Sequence, residues 1–84
     1  MELIPRSEQM LLQRAAEGDQ GSFAELFRAY KDKLYGILLK MTDSAELTED
    51  IIQDVFLRLW RKREELATID NFGGYVFRMA QYRR

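Results

Sequence analysis

The 84-residue sequence has no cysteine and no histidine, and it contains only five glycines and one proline. Without cysteine the chain cannot form a disulfide framework or a thiolate metal site. Without histidine it lacks the most frequent general base and the most frequent metal ligand. No glycine-rich phosphate loop or nucleophile elbow accompanies the acidic side chains that remain. We therefore predict a protein that is not an enzyme, with no catalytic residues, no metal site and no cofactor.

Long apolar runs are also missing. No segment approaches the ~20 apolar residues that span a bilayer, and the first ten residues, MELIPRSEQM, lack the apolar core of a signal peptide. Charged residues make up 32% of the chain and hydrophobic residues 46%, as is typical of a globular domain. A chain with this hydrophobic content is too apolar to be disordered. The sequence predicts one small cytoplasmic domain without membrane insertion.

The net charge of −1 conceals an uneven distribution of charge along the chain. Residues 1–57 carry six basic and eleven acidic side chains, a net charge of −5. Residues 58–84 carry seven basic and three acidic side chains, a net charge of +4. Ends of opposite sign indicate two partners, one basic and one acidic, although an uneven solvated surface explains the charge alone equally well.

Apolar residues recur at helical spacing, and β-branched runs are missing, so the sequence predicts an all-α fold, a compact bundle of about four helices. The first helix is predicted to begin at a Ser7 cap and to end near Gly18. The second begins at Asp19, or at Ser22 with Glu25 as a capping box. The apolar sides of these two helices are Leu11, Leu12, Ala15 and Ala16, and then Phe23, Leu26, Phe27, Tyr30, Leu34, Ile37, Leu38 and Met41.

A third helix is predicted to run to about Arg63, followed by a loop over 64–70 and a fourth helix. The candidate caps of the third helix are Asp43 or Ser44, and those of the fourth are Asp70 or Asn71. Gly73-Gly74 falls in the first turn of the fourth helix, whose apolar side is Phe72, Tyr75, Val76 and Met79. Because the sequence ends at YRR inside this helix, we expect a fragment of a longer protein.

The third helix has an apolar and a polar arc on a helical wheel. The arc predicted to face the core, with structural roles for Phe56 and Trp60, contains Ile51, Ile52, Val55, Phe56, Leu59 and Trp60. The opposite arc contains Glu46, Asp50, Gln53, Asp54 and Arg61, and Leu57 lies among them. A lone exposed leucine is common on surfaces, but one surrounded by carboxylates also matches an apolar anchor with a polar rim. We expect Leu57 to be exposed.

Three stretches of the chain resemble bacterial sigma factors of the extracytoplasmic-function group. AELTEDIIQDVFLRLW resembles their polymerase-binding helix, close to A-E-D-x-x-Q-D/E-x-F-x-x-x-W. GDQGSFAELFRAYKDKLYGILLKM resembles the preceding helix, D-x-x-A-F-x-x-L-x-x-x-Y, with Ser22 where alanine is usual. NFGGYVFRMA resembles the promoter-opening segment, F-x-x-W-L-x-x-I-A-x-N. The resemblance covers residues 18 to 82 and implies region two of such a sigma factor.

The resemblance implies that the chain binds the core RNA polymerase through the clamp helices of the β′ subunit. Asp50, Gln53 and Asp54 match the positions that dock there, with Leu57 as the apolar contact beside them. That surface is rich in arginine in the family, and carboxylates are its charge-assisted partners. An anti-sigma factor is a further candidate partner.

In residues 58–84, the basic end of the chain, basic side chains are interspersed with aromatic side chains. Its cations are Arg58, Arg61, Lys62, Arg63, Arg78, Arg83 and Arg84, and its rings include Tyr75, Phe77 and Tyr82. Single-stranded nucleic acid is bound by such combinations, since bases stack on rings while cations contact phosphates. An off-stripe phenylalanine such as Phe77 is also explained by packing under a neighbouring helix.

In the family, the fourth helix and the loop before it hold the non-template strand of the minus-ten promoter element and capture a flipped base. The resemblance implies that residues 64–72 form this recognition loop, which we expect to be the most mobile part of the domain. The candidate DNA-binding residues are Arg63, Asn71, Tyr75, Arg78, Tyr82 and Arg84. Tyr75 replaces the usual tryptophan and Tyr82 the usual asparagine. The alternative function is a helical adaptor that binds a basic helix and does not bind DNA.

Overall fold

The computed structural model describes residues 4–83, with side chains from 8 to 82. This part of the chain contains α1 (Ile4–Ala16), α2 (Gln20–Thr42), α3 (Ala45–Arg61), a 3-10 helix (Arg63–Thr68) and α4 (Phe72–Arg83). The predicted all-α fold with four main helices is confirmed. Within the described range, every helix is too short or too polar to cross a membrane.

The prediction that Ser7 caps the first helix is wrong, because α1 begins at Ile4 and Ser7 lies inside its first turn. Pro5 is compatible with this early start, since the N–H that proline lacks has no intrahelical partner in a first turn. The predicted end of the helix is confirmed. Gly18 follows α1 with a φ of 103°, in the left-handed region that favours glycine.

Asp19, rather than Ser22, is the N-cap of α2. Its Oδ1 accepts a hydrogen bond from the Gly21 amide at 3.1 Å, and its Oδ2 accepts one from the Ser22 hydroxyl at 2.7 Å. The Ser22 bond, with the Gly21 amide, lowers the pKa of Asp19 below its ordinary value. The two candidates therefore act together, with the hydroxyl supporting the capping carboxylate.

Asp43 and Ser44, the two candidate caps of the third helix, both act as caps in the turn between α2 and α3. Asp43 ends α2 with a φ of 56°, and its amide donates to the Leu39 carbonyl at 2.8 Å. Ser44 caps α3, because its hydroxyl accepts a hydrogen bond from the Leu47 amide at 3.1 Å. The buried hydroxyl of Thr48 is 2.8 Å from that of Thr42, so it keeps a polar partner in the core.

The segment after α3 differs from the prediction. The helix ends at Arg61 instead of about Arg63, and residues 63–68 form a 3-10 helix where a loop was expected. Leu66 is only 1% exposed, so the segment is anchored in the core. Leu66 is the one buried residue among the six residues of the 3-10 helix. A single buried position creates no amphipathic repeat, so hydrophobic periodicity did not indicate a helix in this segment.

Asn71, rather than Asp70, caps α4. Its Oδ1 accepts a hydrogen bond from the Gly74 amide at 3.1 Å. The glycines of this turn lie close to other groups: a Cβ on Gly73 would be 3.2 Å from Tyr30 Cε1, and one on Gly74 would be 2.8 Å from Asn71 Nδ2. Gly73 therefore allows the first turn of α4 to pack closely against α2, and Gly74 leaves room for the capping side chain of Asn71.

The core lies between the four helices and the 3-10 helix, and it confirms most of the predicted apolar positions. Its buried members are Leu12, Ala15, Leu26, Leu34, Leu38, Ile51, Ile52, Val55, Phe56, Leu59, Leu66, Phe72, Val76 and Ala80. One prediction is wrong, because Ile37 is 39% exposed. Leu34 and Leu38, on the neighbouring side of α2, are buried, so Ile37 lies at the exposed edge of the apolar stripe. Trp60 faces the core as predicted but is only half-buried, with ring centroids 5.0 Å from Phe23.

Candidate functional site

The polar arc of α3 forms an exposed acidic face. Asp50 and Gln53 are exposed, Asp54 is half-buried, and Leu57 is 50% exposed among them. The predicted exposure of Leu57 is confirmed. Because Val55 and Phe56 hold the opposite side of the helix in the core, the acidic face is fixed in orientation by the packing of α3.

Arg58 connects this acidic face to the basic end of the chain. Its Nε is 3.2 Å from Asp54 Oδ2, one helical turn away, and their side chains are 59% and 31% exposed. Solvent screens an ion pair of this exposure, so it stabilises the fold by no more than about 1 kcal/mol. The pair is therefore weak enough to exchange with an external partner.

Leu47 is an exposed apolar residue that the wheel analysis missed. It is 46% exposed in the first turn of α3, about two turns before Asp54 and on the same side. Its backbone amide donates to the Ser44 cap, which fixes its position. The sequence spacing could have indicated this position. Leu47 and Asp54 are seven residues apart, and this spacing places both on one side of a helix.

A cleft of about 280 Å³ separates the end of α3 from α4. Its lining brings together three cations, one carboxylate and several apolar groups: Arg58, Leu59, Arg61, Lys62, Glu65, Leu66, Ile69, Tyr75 and Met79. The 3-10 helix contributes Glu65 and Leu66, so the predicted recognition loop lines this cleft through an ordered element. Cations around a partly apolar floor suit a base with its phosphates.

The predicted DNA-binding residues on α4 differ in their exposure to solvent. Tyr75 is half-buried and lines the cleft, whereas Arg78 is exposed and Tyr82 is 90% exposed. A second groove, lined by Asp54, Arg58, Met79 and Tyr82, joins α4 to the acidic face of α3. Arg84 lies outside the described residues.

Two other candidate DNA-binding side chains are engaged within the fold. Arg63 donates from Nη1 to the Trp60 carbonyl at 3.0 Å, and its guanidinium carbon is 4.5 Å from the centre of the Trp60 ring. Asn71 is the cap of α4. Phe77 is half-buried and packed against the core, which favours the packing explanation for this ring over a role in base stacking.

The described residues contain no group of three or more acidic side chains placed to hold a metal ion. The site consists of two surfaces of opposite charge, on α3 and at the junction of α3 with α4. Both surfaces are suited to binding macromolecules.

Comparison with known proteins identifies the family. The model of Sigma-70 region 2 matches residues 26–83. The ECF RNA polymerase sigma factor SigW of Bacillus subtilis is 29% identical over 69 residues, which are 82% of this chain and 37% of that protein. SigK of Mycobacterium tuberculosis is 33% identical over 55 residues, 66% of this chain and 29% of SigK.

The RNA polymerase sigma-H factor of Pseudomonas aeruginosa is 24% identical over 78 residues, 93% of this chain and 40% of that protein. The chain thus spans between 29% and 40% of the length of these relatives. No solved structure matches with comparable significance. Since the family model covers most of the chain and both SigW and SigK carry the ECF name, the chain belongs to the Sigma-70 region 2 family and is a region-two domain of the extracytoplasmic-function type.

Proposed function

We propose that this domain acts in transcription initiation by binding RNA polymerase through the acidic face of α3 and promoter DNA through the basic cleft beside α4. The observation that carries the proposal is the separation of charge on one rigid helix. Asp50 and Asp54 belong to the acidic face of α3, while Arg61 in its last turn and Lys62 just after it line the cleft. The domain would direct the polymerase to a promoter, and the polymerase would perform the chemistry.

The polymerase contact is supported by the anatomy of the acidic face. Leu57 is an exposed apolar group with carboxylates and an amide within two turns, and a basic helix with an apolar contact residue would complement it. The β′ clamp helices, which the family resemblance implies, have this chemistry. Leu47 would extend the same contact by about 15 Å along α3, since ten residues separate the two leucines.

Substitution of Leu57 tests the polymerase contact. We expect Leu57→Ala to change the free energy of unfolding by less than about 0.5 kcal/mol, because the side chain is exposed. The same substitution should weaken binding to a β′ clamp-helix fragment at least fivefold, because a central apolar anchor contributes a large share of affinity. Binding is measured by titration calorimetry and stability by urea unfolding.

Asp50→Lys is the companion variant, with an expected loss of about 2 kcal/mol of binding free energy if the carboxylate pairs with a desolvated arginine. Glu25→Lys, an exposed charge reversal on α2, is the matched control. Unchanged clamp-helix affinity in both α3 variants would contradict the polymerase contact. Unfolding of Leu57→Ala would show that the acidic face is not a free surface.

The DNA contact is supported by the lining of the cleft and by its rim. Three cations and Tyr75 surround the cleft, and Arg78 and Tyr82 extend from α4 into solvent beside it. A flipped base needs a partly apolar pocket with nearby phosphate-binding groups, which offset the cost of unstacking it. We infer that the non-template strand of a minus-ten element follows this surface.

Arg78→Ala tests the DNA contact. We expect weaker binding to a single-stranded promoter oligonucleotide and a smaller dependence of the binding constant on salt, because one phosphate contact fewer releases fewer counterions. Fluorescence anisotropy between 50 and about 200 mM salt measures both quantities. Arg28→Ala, an exposed arginine on α2, is the control. Equal affinity and slope in parent and Arg78→Ala would favour the adaptor that binds a basic helix and not DNA.

A further inference from the structure

Arg58 lies where the two proposed surfaces meet. Its Nε contacts Asp54 of the acidic face at 3.2 Å, and the same side chain lines the basic cleft with Arg61 and Lys62. It also lines the groove that leads to Met79 and Tyr82 on α4. Since the Arg58 side chain is 59% exposed, it is free to rotate towards the cleft without disturbing the core.

We propose that Arg58 is a further DNA-binding residue whose availability Asp54 controls. This inference rests on the proposed function. In the free domain, Asp54 holds the Arg58 guanidinium and neutralises part of its charge. When a basic side chain of the polymerase pairs with Asp54, the guanidinium turns to a DNA phosphate at the cleft. Polymerase docking on the acidic face of α3 thereby strengthens DNA binding at the cleft beside the C-terminal end of the same helix.

The size of the effect follows from the strength of the ion pair. Exposed pairs of this kind alter an equilibrium by roughly 1.5-fold to fivefold, so the coupling is modest. Coupling between two binding sites is reciprocal, and DNA binding therefore favours polymerase docking by the same factor. A coupling factor of this size favours the complex in which the domain binds the polymerase and DNA at the same time.

Removal of the Asp54 charge tests the inference. Asp54→Asn releases Arg58, but it also makes the chain more positive, which by itself favours DNA. Asp50→Asn is the matched control, because it changes the charge equally and lies eight residues, about 12 Å along the helix, from Arg58. The readout is the binding constant of the 84-residue chain for a single-stranded (dT)20 oligonucleotide at low salt.

We expect Asp54→Asn to strengthen binding about two- to fivefold more than Asp50→Asn does. In an Arg58→Gln background this difference should disappear, because no guanidinium remains to be released. Circular dichroism melting of each variant confirms that the chain is folded during the measurement.

Two outcomes would overturn the inference while leaving the DNA-binding proposal intact. One is equal strengthening by Asp54→Asn and Asp50→Asn. The other is a difference that persists with Arg58→Gln, because Asp54 would then act through another group. Absence of any (dT)20 binding by the parent chain would instead overturn the proposed DNA function, and this inference with it.

Discussion

At the scale of single residues, Phe56 and Trp60 show how one helix places two rings in different environments. Phe56 is 4% exposed and contacts Phe23 and Phe27 in edge-to-face geometry, with centroid distances of 6.0 and 4.9 Å. Trp60 lies one turn later at the rim of the core, where its ring is 5.0 Å from that of Phe23 and Arg63 covers it. Both rings hold α3 against α2, but only Phe56 is enclosed.

We therefore expect Phe56→Ala to cost about 3–5 kcal/mol of unfolding free energy, because it leaves a cavity in the core. Trp60→Ala should cost about 2 kcal/mol, since solvent can fill the space of a half-buried ring and only one aromatic contact is lost. Urea unfolding of both variants measures the two values. A Trp60→Ala variant as stable as the parent would show that the register of α3 is wrong.

At the scale of elements, the 3-10 helix Arg63–Thr68 is the connection that positions the cleft. Its Leu66 is buried between the helices, while Glu65 and Thr68 are exposed on either side. The sequence predicted a segment with little buried area, and Leu66 contradicts that premise. A 3-10 helix nevertheless has poorer hydrogen-bond geometry than an α-helix, so it opens more readily.

We predict that amides of residues 63–71 exchange with deuterium faster than those of residues 23–41, because the backbone hydrogen bonds of the 3-10 helix are weaker than those of an α-helix and Leu66 is its one buried side chain. Leu66→Ala should cost about 2–5 kcal/mol of unfolding free energy and accelerate exchange throughout the segment. Glu64→Ala, at an exposed position of the same segment, serves as the control because alanine leaves the backbone freedom unchanged. Exchange in residues 63–71 as slow as in α2 would contradict the prediction.

At the scale of the whole molecule, Tyr30 joins three helices. From α2, its hydroxyl donates a hydrogen bond to the Glu8 carboxylate of α1. Its ring packs against Phe72 at the start of α4, with centroids 5.2 Å apart, and lies under Gly73. Tyr30 thus fixes the point where α4 begins, and with it the position of the cleft. Burial, together with the hydrogen bond to Glu8, raises the pKa of Tyr30 above its ordinary value.

This pKa shift predicts a loss of stability at high pH. Below about pH 10, Tyr30 is protonated in both the folded and the unfolded chain, and its contribution is fully present. Above that pH the unfolded chain releases the proton while the folded chain retains it, so the free energy of unfolding falls as pH rises.

Tyr30→Phe tests the pH dependence. The variant should be about 1 kcal/mol less stable than the parent at pH 7, because the hydrogen bond is lost. The difference should shrink by pH 11, because the variant has no proton to release at this position. Urea unfolding at pH 7, 9 and 11 measures it. A difference that stays constant over this range would show that the hydroxyl is not held as described.

The sequence was sufficient to predict the four main helices, two candidate caps for each of α2, α3 and α4, the exposure of Leu57 and the separation of charge. These features depend on residues within a few positions of one another, through the helical repeat and local hydrogen bonds to the backbone. The packing of distant segments determines that Ile37 is exposed, that Trp60 lies at the rim and that Leu66 is buried. It also determines that Arg58 lies between the two surfaces. These features depend on which distant segment packs against each residue, and neither the helical repeat nor local hydrogen bonding specifies that contact.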